Sequence, residues 1–200
     1  MEINFFNHKT YKEISKLILM ARICVFTGAS DVDDIYKKTA RKLGQEIAKR
    51  KHQLVYGGSN LGLMGKVSTS ARNLGAKVTE IIPSMWINLI QKGDEIVKVK
   101  DLRERKEKML KYSDGFITLP GGIGTLDEFL EIMVEKQIGF HSKPMALLNI
   151  NDFYSPLLKQ LSLLEKEGFL GSKTKSSNNL YEIFTNPSKA MDYIEENLKS

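Results

Sequence analysis

The stretch Leu119-Pro120-Gly121-Gly122-Ile123-Gly124-Thr125-Leu126-Asp127-Glu128 decides how this chain is read. It leaves a short apolar, β-rich run, Gly115–Leu119, passes one proline and three glycines, and enters a segment opened by Thr and two acids. The sequence of elements is strand, glycine loop, helix. Gly121, Gly122 and Gly124 permit positive φ and close backbone approach, and Thr125 is placed at the helix start. Free N–H groups there, at the positive end of the helix dipole, make an anion site that suits a phosphate. The competing reading is a plain turn in which Thr125 and Glu128 form a Thr-x-x-Glu capping box.

The same alternation extends outward in both directions. Further β-rich runs lie at Arg22–Thr27, Gln53–Tyr56, Lys77–Ile82, Ile96–Val99, Met145–Ile150 and, more weakly, Leu180–Phe184. Amphipathic segments separate them: Asp33–Arg50, Leu61–Leu74, Leu102–Tyr112, Thr125–Gly139 and Phe153–Glu167, with Pro187–Leu198 closing the chain. This pattern predicts an α/β fold, a doubly wound, mainly parallel sheet with helices on both faces. No linker or repeat divides the 200 residues, so a single domain is expected over residues 1–200. Residues 1–20 are read as an N-terminal helical extension, its helix at Tyr11–Met20. In sheets of this class ligands bind beyond the carboxyl ends of the strands, near the reversal of strand order. Three small-residue loops fall there: Gly28-Ala29-Ser30, the run from Gly57 to Gly65, and Gly121–Thr125.

Composition narrows the function. No apolar run approaches the roughly 20 residues that span a bilayer, so no membrane role is expected. The first twenty residues lack the uninterrupted apolar core and the cleavage site of a signal peptide. The single cysteine, Cys24, excludes an intramolecular disulfide and fits a reducing cytoplasm. Inside the run Ile23–Phe26 it reads as buried filler. The net charge of +6 is spread along the chain, without a basic tail or an aromatic–basic repeat, which favours phosphorylated metabolites over nucleic acid polymers. The histidines His8, His52 and His141 are scattered, so surface roles are expected for them and no metal site.

Two familiar phosphate motifs are missing. The second loop does not carry the dinucleotide pattern Gly-x-Gly-x-x-Gly, and at Gly65-Lys66 a Walker loop fails because Asn60 and Val67 replace the required glycine and hydroxyl. The segment Asp101–Leu110 reads as a helix capped by Asp101. It puts Arg105 and Met109 on one face with Lys106 adjacent, while Arg103, Glu104, Glu107 and Lys108 read as solvated.

Taken together, Tyr56–Gly65, Arg105-Lys106 with Met109, and Leu119–Glu128 resemble, in family order, the LOG ("lonely guy") family, once described as possible lysine decarboxylases. Its members are phosphoribohydrolases acting on cytokinin riboside 5′-monophosphates. The similarity runs from about Ile23 to Asn149. It implies a Rossmann-like homodimer that releases the free base and ribose 5-phosphate from a nucleoside 5′-monophosphate, without a cofactor. By position it implies Arg105 and Glu128 as catalytic residues. Substrate contacts are implied at Lys106 and along Gly121, Gly122, Ile123, Gly124 and Thr125, with Ser30, Gly57 and Gly58 from the other two loops. The chemistry suits an N-glycosidic bond: a carboxylate stabilises the oxocarbenium-like carbon or positions water, and an arginine holds phosphate or ribose oxygens.

The chain also departs from that pattern. Ser59 stands where the family's glycine triplet ends, and Val134-Glu135 replaces a threonine–tryptophan pair. The glutamate that usually contacts substrate has no clear counterpart within residues 84–95, whose apolar run Met85–Ile90 reads as a lid, an interface helix or core packing. These changes leave the phosphate and ribose end intact and alter the base end. Two rivals stand beside the hydrolase. A pyridoxal-dependent decarboxylase needs a positioned lysine, and no motif singles one out. A non-catalytic nucleotide or molybdenum-cofactor carrier of the same fold would not need Glu128 beside its phosphate.

Overall fold

The computed structural model describes residues 20–89, 94–170 and 180–198. The expected N-terminal helix lies outside these residues except for Met20, and so does Ile90 of the apolar run.

Seven strands follow the expected order: β1 (Arg22–Phe26), β2 (Gln53–Tyr56), β3 (Val78–Pro83), β4 (Glu95–Val99), β5 (Gly115–Thr118), β6 (Met145–Leu148) and β7 (Glu182–Phe184). Six α-helices are described between and after them: α1 (Asp34–Lys49), α2 (Gly62–Asn73), α3 (Leu102–Tyr112), α4 (Ile123–Gln137), α5 (Ser155–Lys166) and α6 (Pro187–Asn197). All strand pairs are parallel, in the order β4-β3-β2-β1-β5-β6-β7. The sheet is therefore parallel throughout.

The two-residue period of the strands sorts the core into two layers. In β1, Ile23 and Val25 face one way, with Leu54 and Tyr56 of β2. On that side α1 contributes Ala40, Leu43 and Ile47, α2 contributes Leu63, Val67 and Ala71, and α6 contributes Ala190, Met191 and Ile194. Cys24 and Phe26 face the other way, under Met109 of α3, Phe129, Ile132 and Met133 of α4, and Leu161 of α5. Each fully buried side chain of this size contributes about 1.5–3 kcal/mol, so both layers are needed to hold the sheet. Burial also pushes the Cys24 thiol far above its ordinary range, which makes it the inert filler expected from its strand.

Two of the histidines differ from expectation, and His8 lies outside the described residues. His52 is buried rather than on the surface: its Nδ1 accepts the Ala21 N–H at 3.1 Å and its Nε2 lies 2.9 Å from Glu195. With Arg50 bonded to Glu195 and Asp192, it ties the end of α1 to α6. His141 is half-buried, bonded to the Ile132 carbonyl and the Lys143 N–H. Both spend their ring nitrogens on holding the fold.

The connections reverse direction between β1 and β5. From β1 the chain steps outward to β4, then returns through α3 to place β5 on the other side of β1. The register pairs Phe26 with Thr118, so the loops leaving these two strands rise side by side. That is the crevice in which this fold class holds its ligands.

Candidate active site

Three loops meet at the crevice. The Gly28 carbonyl accepts the Leu63 and Met64 N–H groups at 3.1 and 3.2 Å, which joins the first loop to the start of α2. Gly62 (φ +51) lies so close to Ala29 and Ser30 that no side chain fits between. On its other side, a Cβ built on Gly28 would be 3.6 Å from Gly121 Cα and 3.7 Å from Gly122 N. A cleft of about 240 Å³ opens here, lined by Ser30, Gly121 and Gly122 together with the side chains of Val32, Tyr36 and Phe153.

The glycine run differs in detail from the sequence expectation. None of Gly121, Gly122 and Gly124 has positive φ; Gly122 sits at φ −85. Close approach is what Gly121 requires. A side chain on Gly121 would collide with Thr125, while Gly122 and Gly124 face open space. Helix α4 begins at Ile123 with Gly122 as its N-cap, two residues before Thr125. Thr125 is thus inside the first turn, buried against Gly121, and the Thr125–Glu128 capping box does not form. The Thr125 N–H is engaged with the Gly122 carbonyl at 3.0 Å. The free donors at the helix start are those of Gly122, Ile123 and Gly124, which have no acceptor among the described residues. An exposed trio of N–H groups at the positive end of a 15-residue helix attracts an anion.

Beside this cradle lies a buried ion pair. Arg105 from α3 reaches Glu128 of α4, NH2 to Oε1 at 3.2 Å, and both side chains are under a tenth exposed. Asp101 starts α3 as expected, its Oδ1 accepting the Glu104 N–H at 2.9 Å. Gly57 supplies the space for the guanidinium, because a Cβ there would overlap Arg105 NH2. Gly58 (φ +82) packs on Ile82 at the base of the same loop. Below it, the Tyr56 hydroxyl donates to the buried Glu80 at 3.0 Å and anchors the strand that leads into Gly57. Loss of solvent raises Glu128 to about 7, against the opposing pull of Arg105. Arg105 Nε is buried with no partner among the described residues.

Lys106 is committed elsewhere. Its ammonium contacts Asp127 at 2.9 Å and pairs with Glu131, and these carboxylates raise its pKa against the lowering effect of burial. The carboxylates Asp127 and Glu131 were not legible as partners, because only the packing of α3 on α4 brings them to Lys106. Ile123 is 82% exposed at the rim of the cradle. Val134 is exposed on α4, and Glu135 is half-buried there. Residues 84–89 form a short 3-10 helix after β3, with Met85 exposed. Asp94 and Glu95 do not replace the missing glutamate: they bond Val78 and Thr79 at the amino ends of β3 and β4, the opposite edge of the sheet. Among the described residues no three His, Cys, Asp or Glu side chains gather as a metal site requires, and no helix is long and apolar enough to cross a membrane.

Comparison with known proteins identifies the family. The profile of the family described as "possible lysine decarboxylase" matches residues 64–194. A probable cytokinin riboside 5′-monophosphate phosphoribohydrolase of Oryza sativa subsp. japonica, LOGL2, is 37% identical over 202 residues, covering 98% of this chain and 81% of the relative. LOG1 of Arabidopsis thaliana, a cytokinin riboside 5′-monophosphate phosphoribohydrolase, is 42% identical over 153 residues, covering 74% and 72%. The chain belongs to the LOG family. Among solved structures, the molybdenum cofactor binding protein of Rippkaea orientalis superposes with a TM-score of 0.70 at 24% identity, covering 90% of this chain and 98% of that one. At that identity the likeness bears on the fold, which is Rossmann-like. The runs Tyr56–Gly65, Arg105-Lys106 and Leu119–Glu128 lie around the crevice.

Proposed function

We infer that this protein is a phosphoribohydrolase that cleaves the N-glycosidic bond of a nucleoside 5′-monophosphate, a cytokinin riboside 5′-monophosphate or a related purine nucleotide. The observation that carries the reading is the buried Arg105–Glu128 pair, 3.2 Å apart beside a helix start with three free N–H groups. The 5′-phosphate sits on the N–H groups of Gly122, Ile123 and Gly124, with Ser30 at the edge of the same cleft. Arg105, walled by Gly57, holds ribose or phosphate oxygens and orients Glu128. As the bond to the base breaks, positive charge develops at the anomeric carbon. Ionised Glu128 stabilises that charge or directs water to it. The residues are all present in one chain. A homodimer with the crevice near its interface, working in the cytoplasm on a small nucleotide and not on a nucleic acid polymer, completes the proposal.

The rivals fit less well. A Schiff-base lysine must lose its proton readily, and Lys106, the lysine at this site, is held as an ammonium by Asp127 and Glu131. A carrier needs the cradle but gains nothing from burying Glu128 at a cost in stability. Incubating the protein with a panel of nucleoside 5′-monophosphates and the matching nucleosides tests the reading: free base and ribose 5-phosphate should appear from a monophosphate, and far more slowly from its nucleoside. Binding without release of base would favour the carrier. Light scattering at micromolar concentration checks the dimer, and a monodisperse monomer would overturn it.

A further inference from the structure

The backbone that leads into the cradle is fastened at each step, while the cradle itself is open. The Leu119 N–H donates to the Phe26 carbonyl at 3.0 Å. The Leu119 carbonyl accepts the Tyr154 hydroxyl at 2.7 Å, and the Pro120 carbonyl accepts the Thr27 hydroxyl at 3.1 Å. Burial pushes the Tyr154 hydroxyl above its ordinary range and keeps it a neutral donor, against the opposing effect of the Gly121 N–H that faces the same oxygen. Tyr154 comes from the far side of the crevice, after β6, and is 2% exposed.

Its own placement is unusual. Asn151 and Asp152, just before it, both hold left-handed backbone, φ +52 and +55. Consecutive non-glycine residues rarely do so, and Asn and Asp tolerate it best. The Asn149 side chain then accepts the Tyr154 N–H at 2.7 Å and donates to Ser155 Oγ at 3.2 Å, while Ser155 donates to Asp152 at 3.1 Å. Such a costly turn persists where the surrounding structure uses it. Here it sends two neighbouring aromatic side chains to the crevice: Phe153 to the cleft wall and Tyr154 beneath the glycine loop.

We propose that Tyr154 is a positioning residue for the anion cradle: its hydroxyl, with that of Thr27, fixes the backbone from Leu119 to Gly121 so that the N–H groups of Gly122, Ile123 and Gly124 converge on one phosphate before it binds. A cradle ordered in advance spends less of its binding free energy on ordering glycines. The proposal rests on the phosphate reading of that cradle.

Tyr154→Phe removes the hydroxyl and keeps the ring, and Thr27→Val removes the second tie without changing the side chain's size. Calorimetric titration with inorganic phosphate and with ribose 5-phosphate should show about tenfold weaker binding in Tyr154→Phe, the weight of one buried hydrogen bond. KM for a nucleoside monophosphate should rise by the same factor while cleavage of the phosphate-free nucleoside stays level, a split that general loosening of the fold would not produce. Without ligand, the hydrogen-bonded amides of Leu119 and Thr125, which flank the open trio, should exchange hydrogen faster in both variants. If the wild type binds both anions and Tyr154→Phe binds them equally well, with unchanged amide exchange, the inference is overturned alone. A wild type that binds neither anion overturns the phosphate reading and this inference with it.

Discussion

Replacing Glu128 with Gln should move stability and activity in opposite directions. Gln keeps the shape and still accepts from Arg105, but it carries no charge. In the folded protein burial lifts the Glu128 carboxyl from its ordinary 4.5 to about 7, even with Arg105 alongside. That displacement corresponds to about 3 kcal/mol between the two protonation states. The sign follows from the direction. Folding favours the protonated form, so the contribution to stability is whole below the unfolded value near 4.5 and is lost as pH rises through about 7. Above that, the wild type holds an ionised carboxylate at a cost, and the Gln variant does not. Urea unfolding at mildly alkaline pH should show the variant more stable by up to about 3 kcal/mol, with a flatter pH dependence. Activity should fall at least about a hundredfold, because the charge opposite the developing cation is gone. In the wild type, the rate should climb as Glu128 ionises with rising pH through about 7. A folded Glu128→Gln protein with near-normal turnover would refute the catalytic assignment. A variant with the wild-type pH slope in stability would refute the energetic account of the burial.

Arg105→Ala should cost roughly as much activity as Glu128→Gln, and the double variant should lose little more, since both act on one transition state; additive losses would separate their roles. The surviving activity of Arg105→Ala should need higher pH, because the guanidinium is what opposes burial at Glu128. Gly57→Ala places a methyl where the Arg105 guanidinium lies, so kcat should drop while thermal unfolding shifts little; unchanged kcat would mean that the Arg105 position is immaterial. Gly122→Ala adds a methyl to open space in front of the cradle. It should leave stability near the wild type and raise KM for a monophosphate, and an unchanged KM would take the phosphate off this helix start.

Much of this protein was legible in local pattern. The run Gln53–Tyr56 and the segment Leu102–Tyr112 fall on β2 and α3 without adjustment, because apolar spacing of two or near 3.6 residues determines which face can be buried. Glycine-rich loops after β2 and β5 marked the ligand edge, and the resemblance to the LOG family pointed to Arg105 and Glu128. Helix starts were less legible. Thr125 looks like a cap by composition, yet Gly122 takes that place, since the tight turn against Gly28 starts the helix earlier. Only the tertiary structure decided which charges meet and which donors stay free. It paired Lys106 with Asp127 and Glu131 and buried His52 between Ala21 and Glu195. It also brought Tyr154 under a loop 35 residues earlier. The physical reason is range: periodicity and turn chemistry act over a few residues and are written locally. Desolvation, ion pairing and the fastening of a glycine loop depend on what the sheet brings together from distant parts of the chain.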